Sequence, residues 1–291
     1  MKRNHRKPLQ RNTFLFITPS LLGVMVFYIL PFFVILYYAV MSRAVSGSFV
    51  GLENFRALLH NEAFLLAAKN TAIVCLWAVP LAVALSLGLA VLLEKEIPAK
   101  SQLRTAFLSP MMVPVASVVL LWQVLFHQNG VINTFLTGWG IDAADFFHSG
   151  WSRVMVLLLY LWKNLGYNMI LFTAALASVP RELLDMAALE GASPLRTFRS
   201  IKLYYLAPTI LFVTVLSFIS SMKIFREVYL LTGAYPHESL YLLQHFMNNT
   251  FQSMDYQKLS TAAILLALAV SLIIGVLFRL EKRMGKDVEN L

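Results

Sequence analysis

The sequence predicts an all-α protein, a polytopic membrane helical bundle of about six transmembrane helices. Three observations predict it. Of 291 residues, 58% are hydrophobic and 13% charged, about half the ~25% charged share of an ordinary soluble domain. The apolar residues gather into about six runs, each near the ~20 residues that cross ~30 Å of hydrocarbon. The 24 Lys and Arg, against 15 Asp and Glu for a net charge of +9, concentrate in alternate connections. A surface this apolar excludes a soluble globular protein and a disordered chain. The lone cysteine, Cys75, excludes an internal disulfide framework.

The runs cover residues 14–41, 70–93, 105–126, 151–178, 205–231 and 260–279. Prolines within them (Pro19, Pro31, Pro80, Pro110, Pro114, Pro208) are tolerated where neighbouring helices satisfy the freed carbonyls. The first run exceeds a signal peptide's apolar core of about 7–15 residues and has no clear small-residue cleavage site, so it reads as a retained helix. Gly47, Gly51 and Asn54 mark a turn, and 55–68 reads as an interfacial amphipathic helix. The stretch 127–150 carries four glycines, Asp142 and Asp145 without a Lys or Arg, as an exposed loop would.

Basic residues set the orientation. Lys2, Arg3, Arg6, Lys7 and Arg11 precede the first run; Lys95, Lys100 and Arg104 follow the second; Arg181, Arg196, Arg199 and Lys202 follow the fourth; Arg279, Lys282, Arg283 and Lys286 follow the sixth. If the runs alternate, all of these lie on one side, and the positive-inside rule makes both termini cytoplasmic. The chain then divides into a basic tail at 1–12, one transmembrane domain at 13–281 that includes a cytoplasmic loop at 180–203, and a tail at 282–291. The basic excess calls for a lipid membrane and no nucleic acid.

The loop at 180–203 is longer than the ~2–8 residues that usually join two helices, and it reads as two short helices. Pro180 suits a helix start and Gly191 a left-handed residue closing that helix. Ser193 then supplies an N-cap and Pro194 a first helical position. Leu195, Phe198 and Ile201 form an apolar stripe beside Arg196, Arg199 and Lys202. This bent element, with a small apolar tip at Ala187, Ala188, Gly191 and Ala192, has the shape to enter a groove on a partner. It equally fits a helix lying on anionic lipid.

Asp185-Met-Ala187, Gly191, Ile201 and Leu203 stand at the spacing of the Glu-Ala-Ala loop of ABC-importer permeases. The stretch resembles that loop, with Asp185 and Met186 in place of Glu and Ala and Tyr204 where proline is usual. Elsewhere, Phe49-Val-Gly-Leu-Glu-Asn-Phe55 followed by Asn70-Thr71, Asn129-Gly-Val-Ile-Asn133, and Phe225 through Gly233 are similar to segments of maltose-type carbohydrate-importer permeases. Gly233-Ala-Tyr-Pro236 stands where a Gly-Gly-Gly-Pro run is common. The resemblance implies a type I ABC importer permease fold in a bacterial inner membrane, and half of a translocation pathway for a carbohydrate. It implies four kinds of partner: a second, related permease, two ATP-binding cassette subunits, a solute-binding protein outside the membrane, and lipid. It also implies that Asp185, Ala187, Ala188, Leu189, Glu190, Gly191, Ala192, Ile201 and Leu203 meet the ATPase.

No Gly-x4-Gly-Lys-Ser/Thr run occurs to cradle phosphates. No zinc-type His/Cys spacing and no Gly-x-Ser-x-Gly elbow occur either. The chain is therefore expected to hold no cofactor, metal or catalytic residue, with ATP and Mg on the partner. Ionisable groups inside spans mark a pathway or an internal pair. Lys163 falls near the middle of the fourth run, and Lys223 stands four residues before Glu227, in reach of a self-neutralising pair. Trp162, Asn168, Phe225 and Tyr229 add aromatic faces and an amide suited to a sugar, so these four with Lys163 and Lys223 are the pathway candidates. The alternatives are a permease of this architecture for a polyamine, phosphate or amino acid, or a channel or carrier working alone. The last would want intramembrane carboxylates, which the runs nearly lack.

Overall fold

The computed structural model describes residues 10–43, 47–95 and 97–289, with side chains described from 16 to 280. The tail expected at 1–12 falls outside what is described except for residues 10–12, and the tail expected at 282–291 is described only in its backbone and only to 289, where it continues the last helix. Fourteen α-helices occur among the described residues. Helix α1 (Gln10–Val24) runs through a π-helical turn (Met25–Ile29) into α2 (Leu30–Ala39), and α3 (Glu53–Leu59) and α4 (Glu62–Leu92) follow. Next come α5 (Lys100–Met112), α6 (Val115–Phe126), α7 (Val131–Gly138), α8 (Ser152–Ala177) and α9 (Arg181–Leu189). Helix α10 (Pro194–Thr197) passes through a second π turn (Phe198–Lys202) into α11 (Leu203–Met222). Helices α12 (Phe225–Thr232), α13 (Leu243–Gln252) and α14 (Tyr256–Glu289) complete the order. Six stretches are long and apolar enough to cross a membrane.

Several boundaries differ from those the sequence predicts. The run 105–126 is two helices, because Pro114 forces Val113 into an extended conformation (φ −83°, ψ 132°). The run 205–231 is broken at Lys223 and Ile224. The amphipathic helix expected over 55–68 ends at Leu59, and α4 begins at Glu62 because no helix breaker stands between there and the expected start at 70. The second short helix of the loop is no separate element. It flows into α11, the surplus residue being absorbed by the π turn.

Two compact units can be described. One comprises α1 to α3 with Thr250–Ala269. In it Asn54 Nδ2 donates to the carbonyls of Ala39 (2.9 Å) and Met41 (3.0 Å), closing the turn that Gly51 enters at φ +57°. Large apolar side chains in its first span, such as Phe27 and Tyr28, are exposed. Exposed apolar surface along a span is what lipid requires.

The other unit comprises Glu62–Asn249 and Val270 onward. Its centre is the packing of α4, α8 and α11. Helix α4 presents Ala78, Ala82, Ser86 and Ala90, all buried and spaced by four, so a ridge of small side chains lets α8 approach closely. Tyr160, Val156, Ala78, Val228 and Leu240 form one buried cluster, and Met169, Phe172, Leu206 and Val213 another. Where α5 crosses α8, Gly166 lies against the backbone of Phe107, and a Cβ there would meet the Phe107 carbonyl oxygen at 1.9 Å. Only glycine fits.

Asparagines tie the connections at the end of this unit where α4 and α8 begin. Asn133 is buried, donates to the carbonyls of His127 (3.1 Å) and Ala144 (2.8 Å), and accepts from Ala144 N (2.9 Å). Asn70 donates to the carbonyls of Glu238 (2.6 Å) and Tyr241 (3.2 Å) and accepts from Arg153 (3.1 Å).

Gly166→Leu is expected to fail to give a monodisperse protein in size-exclusion chromatography after detergent extraction. Gly166→Ala should be destabilised by about 1–3 kcal/mol, the usual range for overpacking. A wild-type thermal midpoint for Gly166→Ala would contradict the close approach of α5 to α8.

Candidate functional site

Two regions of the second unit concentrate polar chemistry. The first is a cavity of about 450 Å³ walled by α8 and α11 and bounded by both helix breaks. Met111, Val113 and Val115 flank the Pro114 break; Lys223 and Ile224 form the other, with Arg226 in the first turn of α12 beside it. Irregular backbone at membrane depth persists only where it is buried in protein or faces a water-filled space. Both interruptions of this unit's apolar helices face the same space.

The wall between α8 and α11 is a polar seam. Tyr160 Oη donates to the Ser217 carbonyl (2.6 Å), Asn168 Nδ2 to Ser217 Oγ (2.9 Å), and Ser220 Oγ to Asn164 Oδ1 (2.8 Å). Asn164 in turn donates to the Tyr160 carbonyl (2.8 Å). These groups satisfy one another, so the seam joins the helices without leaving a buried donor unpaired. Lys163 lies about 17 Å along α8 from Ser152 at 1.5 Å per residue, near the middle of the helix. It donates to Glu227 Oε1 of α12, with side chains 18% and 4% exposed.

The Lys223–Glu227 pair expected from spacing is absent. Lys223 falls in the break rather than in α12, so the i to i+4 relation is lost, and Glu227 turns instead to α8. Lys223 and Arg226 are exposed, line the cavity and form no ion pair among the described residues. Glu227 Oε2 is buried without a hydrogen-bond partner among them.

Of the pathway candidates, Lys163, Asn168 and Lys223 meet at this cavity. Trp162, Phe225 and Tyr229 do not line it. Trp162 is one residue from Lys163, hence about 100° round the helix, and tilts against Trp122 with ring centroids 6.2 Å apart. Phe225 and Tyr229 pack on His245, at 4.7 Å and 6.3 Å. His245 is fully buried, and burial pushes its pKa down to about 4. Arg226 and Ser220 were missed by sequence reasoning, and Glu227 was read there only as a partner for Lys223. Their signal, polar side chains at i and i+3 or i+4 within spans, was present but pairs only through tertiary contact.

The second region is the bent element at 180–203. Helix α9 ends in a Schellman motif, with Gly191 N bonded to the Ala188 carbonyl (3.0 Å) and Ala192 N to the Ala187 carbonyl (2.9 Å). Gly191 is left-handed (φ +72°) with open space where a side chain would project. Ser193 Oγ then caps the next helix by accepting from Arg196 N (3.4 Å). Asp185, Ala188, Leu189, Glu190 and Gly191 are exposed, Leu189 at 89%, and Ala192 is half-buried. Ala187 is buried, and Ile201 packs on the apolar cluster beneath, so neither lies on the outer face. Met186, Leu189 and Leu195 supply the exposed apolar surface instead. Lys202 Nζ donates to both oxygens of Glu94 (2.7 and 2.6 Å), tying this element to the segment just after α4. Among the described residues no three His, Cys, Asp or Glu gather as metal ligands.

Residues 82–290 match the model of the binding-protein-dependent transport system inner membrane component family. The chain belongs to this family. It is similar to the sn-glycerol-3-phosphate transport system permease protein UgpA of Yersinia enterocolitica, 29% identical over 276 residues, 93% of this chain and 94% of that one. The same protein of Escherichia coli O157:H7 is 32% identical over 71% of each chain. In fold it matches a chain of a bacterial ABC transporter that imports the acidic polysaccharide alginate, with TM-score 0.82, 20% identity, and coverage of 94% and 95%. The chain is thus a multi-pass inner-membrane permease subunit of a binding-protein-dependent importer, and its fold is that of such permeases.

Breaking a buried ion pair by removing one partner costs about 3–5 kcal/mol, whereas removing both costs less. Lys163→Met is therefore expected to lower the permease's thermal midpoint in detergent further than Lys163→Met/Glu227→Gln does. Equal midpoints would contradict the pairing. For His245, a depressed folded pKa means that its stabilisation is fully present above the unfolded value of 6.5 and lost as pH falls through about 4. His245→Gln should flatten the decline of thermal midpoint over that window.

Proposed function

We propose that this permease forms half of the translocation pathway for a carbohydrate or polyol derivative and couples it to a separate ATPase through the element at 180–203. The observation that carries the reading is the polar cavity between two broken helices, in a chain whose family imports solutes delivered by a binding protein. The sn-glycerol-3-phosphate permeases among its relatives support the solute class, as does the alginate importer. A complex of the alginate transporter with its pentasaccharide-bound periplasmic protein has the same fold (TM-score 0.80) and supports docking of a solute-binding protein on the outer face.

In this reading a second permease subunit, related but different, supplies the other half of the pathway. Two ATP-binding cassette subunits bind ATP and Mg and carry out hydrolysis, so this chain performs no catalysis. Both termini and the 180–203 element face the cytoplasm, in keeping with the Lys and Arg of its connections. Asp185, Ala188, Leu189, Glu190, Gly191 and Ala192 meet the ATPase. Leu203, exposed at the start of α11, meets it too, while Ala187 and Ile201 hold the element's shape from within.

The mechanism is alternating access driven from outside the chain. A lever must be stiff to pass on displacement. The Schellman closure at Gly191, the Ser193 cap and the Lys202–Glu94 bridge each remove a way for the element to bend. Its apolar knob, Met186, Leu189 and Leu195, is the part suited to a groove. When the ATPase subunits close, α11 moves with the element and changes the opening of the cavity.

The test is purification of the whole complex and ATP-dependent uptake in proteoliposomes. Gly191→Asp places a side chain on a left-handed residue and a charge on the outer face. The variant is expected to insert normally yet lose most uptake, with ATPase subunits detached or uncoupled. Wild-type ATP-driven uptake in Gly191→Asp would refute the lever.

A further inference from the structure

We propose that the cavity is an anion-binding station for a hydroxylated solute, in which Lys223 and Arg226 hold a phosphate or carboxylate and Glu227 Oε2 accepts a solute hydroxyl. The inference deepens the importer reading and rests on it. Three observations within one cavity carry it, and they are independent of the chain's relatives.

The first is an uneven charge inventory. Lys163, Lys223, Arg226 and Glu227 all line the cavity. Glu227 is engaged by Lys163, so its charge is already compensated. Lys223 and Arg226 remain, with no carboxylate partner among the described residues. Cations within a membrane-spanning segment are costly unless they serve a pathway or a partner. Here they flank the break between α11 and α12, three residues apart, and both reach the same space. Arginine offers a planar fork to an oxyanion and lysine a mobile point charge, and together they fit a multi-oxygen anion.

The second is the orphaned acceptor. Glu227 Oε2 is buried and receives no hydrogen bond, although Oε1 is held by Lys163. A buried carboxylate oxygen left in this way is destabilising unless a donor arrives. A ligand that brings a hydroxyl or other donor as well as a negative charge answers both features of the cavity. A bare inorganic anion does not answer both, and a neutral sugar leaves the two cations uncompensated.

The third is saturation of the polar seam. Asn164, Asn168, Ser217 and Ser220 bond one another across α8 and α11, and the aromatic rings Trp162, Phe225 and Tyr229 lie outside the cavity. Tyr160 and Tyr167 do line it, and the Tyr160 hydroxyl is committed to the Ser217 carbonyl. One tyrosine ring, Tyr167, is thus open to a solute beside the unpaired charges of Lys223 and Arg226. Lys163 acts as a positioning residue, because it fixes the carboxylate so that one oxygen remains free.

The test is initial uptake by the complete importer, with its ATPase and solute-binding partners, in proteoliposomes. Three labelled probes are compared: sn-glycerol 3-phosphate for the phosphate source, a galacturonate disaccharide for the carboxylate source, and maltose as a neutral control. Wild type is expected to carry one anionic probe, and the probe carried distinguishes phosphate from carboxylate. K223Q/R226Q should cut kcat/KM for that probe by about tenfold or more, as expected for lost charge-assisted bonds, while assembling with the ATPase. E227Q should raise KM for the hydroxylated anion, and K163Q should do the same through displacement of Glu227, with the conservative K163R restoring it in part. Transport of maltose alone, or wild-type kcat/KM for the anion in K223Q/R226Q, would overturn the anion station and leave the importer standing. Absence of ATP-dependent uptake of all three would overturn both.

Discussion

Backbone that leaves the helix inside hydrocarbon must find its hydrogen bonds in protein or in water. In the larger unit that constraint decides where everything else goes. Its two breaks, at Val113-Pro114 and at Lys223-Ile224, lie at the rim of one cavity, and the exposed cations Lys223 and Arg226 lie there too. Continuous helices could have spanned these stretches with less exposed polar backbone. The second break instead places Lys223 between helices and Arg226 in the first turn of α12, while Ile224 between them is buried in the apolar cluster with Val228 and Leu240. A buried isoleucine thus anchors the turn that presents two exposed cations.

Helix α8 is the member on which this arrangement is built. One face takes the small ridge of α4, another accepts the α5 backbone at Gly166, and a third carries Tyr160, Asn164 and Asn168 to α11. Lipid offers no hydrophobic drive for helix association, so close backbone approach and interhelical hydrogen bonds must supply it. That division of α8 explains why Lys163 sits where it does. It stands next to Asn164, about 100° round the helix from it, and so reaches Glu227 of α12 while Asn164 faces Ser220 of α11.

The six spans were legible because run length and Lys/Arg placement need no tertiary information. The bent element was legible as well: Gly191, Ser193 and Pro194 are local conformational signals, and each adopts the geometry its chemistry favours. The break at Pro114 was readable in principle, since the residue before proline resists the α conformation. The break at Lys223 was not, because Met-Lys-Ile-Phe carries no breaker. Nor could spacing show that Glu227 bonds Lys163, 64 residues distant, rather than Lys223 four residues away. Trp162, Phe225 and Tyr229 had the chemistry of a sugar site and the wrong helical azimuth. Ala187 had the size for a docking tip, but the Schellman closure turns it inward. Asn70 and Asn133 were noted only within family-like motifs and Asn54 as a turn marker, and each ties a loop through main-chain carbonyls.

The proposed lever and the proposed anion station share one rod. From Pro194 the chain stays helical through a π turn to Met222, where the break begins. One end carries Leu195 and the Lys202 bridge to Glu94; the other carries Ser217 and Ser220 against α8, then Lys223. A rigid helix transmits a displacement at one end to the other, and no long wire of side chains is needed. The seam bonds to Asn164 and Asn168 are few and polar, so a shift of α11 along α8 exchanges them with water in the cavity at modest cost, whereas the apolar clusters resist separation. Movement of the element by an ATPase would therefore alter first the contacts that surround the solute. The π turn at Phe198–Lys202 lies between the gripped end and the seam, and its extra residue gives the helix a place to change register by one residue without breaking. A stroke applied outside the membrane and a change of solute contacts within it thus need only one moving part.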